Sequence, residues 1–491
     1  MRDRGFAAGR TTAEERRRRT RRVWTSAGLA LALALGVAAP IEAQEVGWRR
    51  PPPVRVWRRP PQPVFLRPPV FVVPPPVYDA PPPVYGVGAE SWPPPHRYRP
   101  PLGGRPPLRS LPPSPIASRA APPPPGETRF RPGEVLVEVP LTTPSSALAA
   151  MARRHRLVEI EAAPIALLGV AVHLWRIPDR RDVAAVTREL GGEPAAIRIQ
   201  PNYLYALQQS APDDATPSPP QYALNKLRVD PALAAAAAAP VRVAVIDTAI
   251  DDAHPDLAGA VEARFDALGG ATPRMFDHGT AVAGAIAARG RLKGVDPNAR
   301  ILAARAFDGD GAGASGATLS LLKAIDWAVR ERAKVINMSF AGPPDPALSD
   351  IVAAAIGKGL TLVAAAGNAG PQSPPLYPAA DPGVIAVTAT DADDRRYAKA
   401  NVGRYIAVAA PGVDLLLPAP QGSYGLETGT SFSAALVSGV AALLAARRPD
   451  AGPAQVRQWL TATAAPLAPS RGDEFGAGLV DARRASEAAA R

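Results

Sequence analysis

Gly425-Leu-Glu-Thr-Gly-Thr-Ser-Phe-Ser-Ala-Ala-Leu-Val-Ser-Gly-Val-Ala-Ala-Leu-Leu-Ala-Ala-Arg447 opens on small and polar residues, then runs apolar with hardly a break. The pattern predicts a turn feeding a helix buried on all sides. Thr430 is placed to cap that helix, its hydroxyl oxygen meeting a free amide of the first turn. Ser431 then stands at the helix N-terminus, where unpaired N–H groups and the helix dipole favour negative charge. A serine whose attack creates an oxyanion suits that place. A small residue beside a cap is the other reading of the same position.

Upstream of this stretch, short apolar runs alternate with helical patterns from Val241 onward. The runs are Val241–Ile246, Ile301–Ala306, Val335–Met338, Leu360–Ala365, Val384–Val387 and Ile406–Ala409. The helical patterns are Gly279–Ala288, Ser315–Arg332, Pro346–Lys358, Ser431–Arg447 and Pro453–Ala462. Near-continuous apolar strands between helices predict an α/β fold, a parallel sheet covered on both faces. Functional groups in such sheets gather at the carboxyl ends of the strands. Asp247 ends the first strand, His278 precedes a small-residue helix, and Asn368 follows the fourth strand. Singly, each also reads as a cap, a packed histidine or a turn residue. Together with Ser431 they form an ordered set. A serine nucleophile needs a base, and the base needs a carboxylate to fix its tautomer. The order Asp, His, Ser differs from that of α/β-hydrolases and of trypsin-type enzymes. Gly429-Thr430-Ser431-Phe432-Ser433 is not the Gly-x-Ser-x-Gly elbow of lipases and esterases.

Residues 128–207 read as a small α+β unit of order β-α-β-β-α-β, a ferredoxin-like split. Its strands are Glu134–Val139, Leu157–Ala162, Gly169–Ile177 and Ile197–Ile199, and its helices Ser145–His155 and Arg181–Leu190. His155 and His173 lack partners at ligand spacing. Residues 208–240 form a linker, and 241–491 the larger domain.

The N-terminal quarter has a different character. The 491-residue chain holds 60 prolines and a net charge of +12, but the charge lies in residues 1–119, and residues 120–491 sum to −1. The overall charge is therefore no argument for nucleic-acid binding. Residues 1–43 carry a basic run at Arg16–Arg22, an apolar run Val23–Ala39 and a small-residue cleavage site ending at Ala43. They read as an export signal, making the product secreted or periplasmic; a retained membrane anchor is the alternative. No later segment reads as long and apolar enough to cross a bilayer. Residues 44–127 are Pro/Arg-rich, repeat Pro-Pro-Pro-Val-Tyr and cannot bury a core. They are expected to be a disordered spacer, or an arm holding the cell envelope. The absence of cysteine excludes a cysteine nucleophile and thiolate metal sites.

Val245–Ile250 with His254-Pro255-Asp256-Leu257 resembles the aspartate motif of subtilisin-like serine peptidases, and Asp277–Gly284 their histidine motif. Gly429-Thr430-Ser431 with Val437-Ser438-Gly439 is similar to the serine motif, and Ala364–Gly370 to the oxyanion-asparagine segment. The likeness spans roughly residues 221–485. It implies a serine endopeptidase with Asp247, His278 and Ser431 as triad and Asn368 as oxyanion donor. It further implies that 128–207 is a propeptide, an intramolecular inhibitor removed by self-processing between Leu207 and Gln221. Asn337–Pro343 resembles the segment that pairs with the substrate backbone, giving Ser339, Phe340, Ala341 and Gly342 as substrate contacts. Asp308–Gly313, with Gly311, resembles the opposite wall. Members often bind calcium, but no ligands can be matched here, so no cofactor is assigned as required. Ala249, Ala281, Ser433, Ala435, Leu436 and Ala341 depart from the usual pattern, though none removes a triad member. A non-catalytic envelope protein using this fold as a scaffold is the competing reading. The extra methyl of Ala341 on the wall of the first pocket yields an expectation. A panel of peptides varied at the residue before the cut should show Phe and Tyr disfavoured there; a clear aromatic preference would contradict it.

Overall fold

The computed structural model describes residues 119–491 apart from 210–220, 231, 234–238, 271, 310–313 and 468–471. The export signal, most of the Pro/Arg-rich segment and Gly311 lie outside the described residues.

The smaller unit comprises β1 (Phe130–Pro140), α1 (Ser145–Arg154), β2 (Val158–Ile165), β3 (Val170–Arg176), α2 (Val183–Leu190) and β4 (Arg198–Leu207). Its strands form an antiparallel sheet in the order β4-β1-β3-β2. Both sheet faces are covered, because alternate residues point to opposite sides. Val135, Val137 and Val139 pack under Leu148, Met151, Val183, Val186 and Leu190. Leu136, Val172 and Leu174 face the other way, into a cluster shared with Leu319 and Leu322 of the larger domain. The smaller unit's contacts reach ahead of residue 128: Ala121 N–H donates to Ile199 O and Ile199 N–H to Arg119 O, both at 2.8 Å. The open edge of β4 has backbone groups to satisfy there, and the proline-rich segment's end supplies their partners.

The larger domain begins with α3 (Tyr222–Lys226) and holds a seven-stranded parallel sheet, in the order β13-β12-β11-β9-β5-β7-β6. These strands are β5 (Arg242–Asp247), β6 (Val261–Asp266), β7 (Arg300–Arg305), β9 (Val335–Met338), β11 (Thr361–Ala365), β12 (Ile385–Thr390) and β13 (Ile406–Pro411). Two short strands, β8 (Ser315–Ala317) and β10 (Phe340–Ala341), pair instead with β4. A hairpin of β14 (Leu415–Ala419) and β15 (Ser423–Glu427) precedes the central helix. Helices α4 (Asp277–Ala287) and α7 (Thr430–Arg447) cover one sheet face, and α5 (Thr318–Arg330) with α6 (Pro346–Gly357) the other. Each of the six expected apolar runs overlaps a strand of the sheet, with Val241, Ala306, Leu360 and Val384 one residue outside. The start of the expected helix Ser315–Arg332 is β8 instead; Ser-Gly-Ala is small enough to lie flat beneath another strand.

Helix α7 is buried at every position from 430 to 446. Two expectations change here. Its cap is Gly429, not Thr430, which is already helical; the Thr430 hydroxyl donates to Asn368 Oδ1 at 2.9 Å. Also, α7 is itself long and apolar enough to cross a membrane, although its apolar surface is used up inside this domain.

Arg198 joins the two units, meeting Glu138 of β1 at 3.5 Å and Asp350 of α6. Burial pushes the Glu138 carboxyl up to about 7; Arg198 opposes the shift, and the Asp350 and Asp345 carboxylates add to it. An acid raised by folding stabilises the fold fully below its free value of 4.5 and loses that contribution as pH climbs through about 7. In a chain kept whole by Ser431→Ala, Glu138→Gln should remove part of the fall in melting temperature across that window. Thermal curves falling in parallel with and without the substitution would refute this.

Candidate active site

Four chain segments converge where the strands of the large sheet end. Asp247, the last residue of β5, is fully buried, and its Oδ1 accepts the Thr248 N–H at 2.7 Å. His278 sits in the first turn of α4, its Nδ1 lying 2.7 and 2.9 Å from the two Asp247 carboxylate oxygens. The Thr248 hydroxyl accepts the Gly279 N–H at 3.0 Å and so ties the start of α4 to the end of β5. Position 279 must be small, since a Cβ there would stand 2.7 Å from Ala249 O and 2.8 Å from Thr248 O.

Ser431 lies in the first turn of α7 and is buried. Its hydroxyl donates to Ser339 O at 2.8 Å and accepts the Gln208 N–H at 3.1 Å. Among the described residues His278 Nε2 has no hydrogen-bond partner. The structure thus joins Asp247 to His278, while the serine hydroxyl points to Ser339 instead of to the imidazole. Ser339 is held in its own right: its hydroxyl donates to Ser431 O and accepts from Asn337 Nδ2, both at 2.8 Å, while Ser438 of α7 donates to Asn337 Oδ1 at 2.9 Å.

Asn368 faces the same point. Its Oδ1 accepts the Thr430 N–H at 3.2 Å as well as the Thr430 hydroxyl, which turns Nδ2 outward. That Nδ2 is buried and has no partner among the described residues. A buried donor left unpaired costs about 1–3 kcal/mol, which a fold tolerates where something is meant to arrive.

What stands there is the chain itself. The Ser431 N–H donates to the Gln208 carbonyl oxygen at 3.2 Å, and the Asn368 N–H to Gln208 Oε1 at 2.8 Å. Gly429, at φ 151°, allows this approach; a Cβ on it would lie 2.3 Å from Gln208 O and 3.0 Å from Asn368 Nδ2. Upstream, β4 runs between two walls as an added antiparallel strand. Leu207 and Ala206 pair with Phe340 and Ala341, and Ala206, Tyr205 and Leu204 with Ser315, Gly316 and Ala317. Tyr205 packs edge-on against Phe340, ring centroids 5.8 Å apart, over Gly342, where a Cβ would come within 2.4 Å of its ring. Burial pushes the Tyr205 phenol well up, and the Asp345 carboxylate beside it adds to the shift.

Ser339, Phe340, Ala341 and Gly342 therefore all touch the strand in the cleft. The opposite wall is Ser315–Ala317, further along than Asp308–Gly313. Sequence reasoning also missed Gln208, the Ser339 hydroxyl and Asp345. The alternating Leu204-Tyr-Ala-Leu207 run was the available sign that an extended segment continues into the cleft. Glu427, on β15, is raised by burial, with His278 opposing the shift. No group of three or more His, Asp or Glu stands ready for a metal ion among the described residues.

Residues 239–479 match the Subtilase family. The chain is 38% identical over 257 residues to subtilisin NAT of Bacillus subtilis subsp. natto, covering 50% of this chain and 66% of the relative, just under two thirds of its length. It is 37% identical over 257 residues to the subtilisin of Bacillus pumilus, covering 50% of this chain and 91% of the relative. Among solved structures, fervidolysin from Fervidobacterium pennivorans, a keratinolytic enzyme related to subtilisin, superposes with a TM-score of 0.62 at 26% identity, over 76% of this chain and 64% of that one. With the site geometry and these likenesses together, the chain belongs to the subtilase family.

Proposed function

We propose that the protein is a serine endopeptidase made as a precursor that cuts itself between Gln208 and Gln209. The observation carrying this reading is the Gln208 carbonyl, hydrogen-bonded to the Ser431 amide at the end of a strand lying as a substrate lies. In the proposed reaction Ser431 Oγ attacks that carbonyl carbon while His278 Nε2 takes the hydroxyl proton, Asp247 holding Nδ1–H. The oxyanion rests on the Ser431 N–H and on Asn368 Nδ2. The C–N bond then breaks, and His278 returns the proton to the Gln209 nitrogen. Water, deprotonated by the same imidazole, cleaves the acyl-enzyme, leaving a Gln208 carboxylate and a free serine. Other polypeptides enter the same groove once the first strand has left.

The smaller unit acts in this reading as folding partner and inhibitor. Its buried face against α5 and α6 and its strand in the cleft both support that role. The likeness to fervidolysin also covers a larger share of the chain than the peptidase match occupies. The basic and apolar leader fits export to the periplasm or medium, and the Pro/Arg-rich arm fits contact with an anionic envelope. Neither a metal nor another cofactor enters any step; calcium stays a possible stabiliser for which no ligands are assigned.

The serine hydroxyl's turn toward Ser339 is the one observation favouring a non-catalytic scaffold. Against it stands the buried Asp247–His278 pair, bonded at 2.7 Å and set with Ser431 and Asn368 at the same strand ends. Labelling by a fluorophosphonate after removal of the smaller unit separates the two readings.

The pure full-length chain should convert to a form beginning at Gln209, followed by intact mass and N-terminal sequencing. Ser431→Ala should stay whole; its maturation at the normal rate would overturn self-cleavage. Asn368→Ala should lower turnover ~100–1,000-fold with little change in KM, a magnitude taken from subtilisin itself. A loss under about tenfold would remove Asn368 from the oxyanion site.

A further inference from the structure

The geometry points to Asp345 as the residue that makes the pocket for the fourth residue before the cut select tyrosine by its hydroxyl. The inference rests on the proposed reading of Gln208 as the residue at the cut. Counting back from it places Tyr205 fourth.

The walls of that pocket are apolar and aromatic. Phe340 meets the Tyr205 ring edge-on, Phe307 lies 5.1 Å behind Phe340, and Gly342 forms a floor without a side chain. Such walls alone would take phenylalanine as readily as tyrosine. The far end is different. Asp345 is only 1% exposed, and its Oδ2 accepts the Tyr205 hydroxyl at 3.0 Å and the Thr318 hydroxyl at 2.7 Å. Its Oδ1 accepts Gln200 Nε2 at 2.7 Å and the Ala347 and Leu348 amides at 3.0 and 3.1 Å.

These partners fall into two groups. The two amides and Thr318 belong to the peptidase domain and stay after processing. Gln200 and Tyr205 leave with the smaller unit. The carboxylate is thus kept in place by the start of α6 and by Thr318, while Oδ2 loses one of its two donors and Oδ1 one of its three. A tyrosine arriving on a substrate restores a charge-assisted hydrogen bond. A phenylalanine of the same shape covers the carboxylate and gives it nothing. Sites built to bond a hydroxyl reject the analogue lacking it, because their own polar atom is left buried and unpaired. The three remaining partners soften that penalty.

The test uses processed enzyme obtained from the full-length chain and two fluorogenic peptides, Tyr-Ala-Leu-Gln and Phe-Ala-Leu-Gln with the reporter after Gln. The tyrosine peptide should be favoured about 10- to 100-fold in kcat/KM. Asp345→Asn keeps an oxygen for the helix amides and should bring the ratio to within about threefold of unity. Equal cleavage of both peptides by the unaltered enzyme overturns the inference and leaves the peptidase reading intact. That comparison decides the matter even where the variant does not fold. A ratio unchanged in Asp345→Asn overturns the assignment to Asp345. Cleavage of neither peptide, with no fluorophosphonate labelling, overturns the peptidase reading and this inference together.

Discussion

One hydrogen bond organises the molecule: the amide of Ser431, at the positive end of a buried helix, donates to the carbonyl of Gln208. First-turn amides of a helix have no partner within it and must find one outside. Here the partner is a backbone carbonyl more than two hundred positions upstream, brought in by a strand of another unit. That contact demands a helix end with no bulk in front of it, which Gly429 supplies. It also demands a strand free at its far end, which β4 becomes once it leaves its own sheet beyond Tyr203. The groove walls follow from the second demand. Phe340–Ala341 and Ser315–Ala317 each offer one unpaired strand edge, and β4 fills both.

The helix itself is fixed with equal care. Its burial on every side requires small residues, and its sequence gives alanine, glycine and serine where neighbours come closest. A Cβ on Gly439 would lie 2.6 Å from Val295, so that position tolerates nothing larger. Ser438 reaches Asn337, Asn337 reaches Ser339, and Ser339 holds the carbonyl of Ser431. The nucleophile's backbone is thereby tied to the central strand β9, and the imidazole to β5 through Asp247 and Thr248. β5 and β9 are neighbours in the sheet. Relative position within the site is inherited from sheet register, the most rigid reference the fold has.

How much of this was readable follows from which atoms do the work. Central strands such as Val335–Met338 are apolar on both faces and announce themselves. β6 did not, because Val261-Glu-Ala-Arg-Phe-Asp266 is an edge strand carrying Glu262 and Arg264. Asp247, His278, Asn368 and Ser431, which the structure brings to one place, stood out because each carries a distinctive side chain next to a strand end or helix start. Gln208 was not, since its contact with the Ser431 amide is made by its backbone, which leaves no mark in a side-chain pattern. Asp345 was hidden by doing two things at once. Asp-Pro-Ala reads as an ordinary helix start, and the same carboxylate does cap α6; only the fold reveals that a tyrosine from elsewhere shares it. Thr430 was misread for a related reason. Its hydroxyl meets a competing acceptor in Asn368, and that acceptor comes from the loop after β11.

The idle atoms describe a site assembled short of reaction. Gln208 N–H is shared between Ser431 Oγ at 3.1 Å and Ser339 O at 3.2 Å, and the Ser431 hydroxyl is spent on that same Ser339 carbonyl. Turning the hydroxyl to His278 Nε2 would free Ser339 O for the Gln208 amide alone. One weak shared bond would become one whole bond, and a buried nitrogen without a partner would gain a donor. The exchange loses nothing in hydrogen bonding. Asn368 Nδ2 stays unpaired through that turn. In the proposed reaction, charge arriving on the Gln208 oxygen would engage it, which is how a preorganised donor favours the transition state over the bound ground state. In the proposed reading a strand lying in the groove is both an inhibitor and a slow substrate. Which of the two it is depends on the orientation of a single hydroxyl.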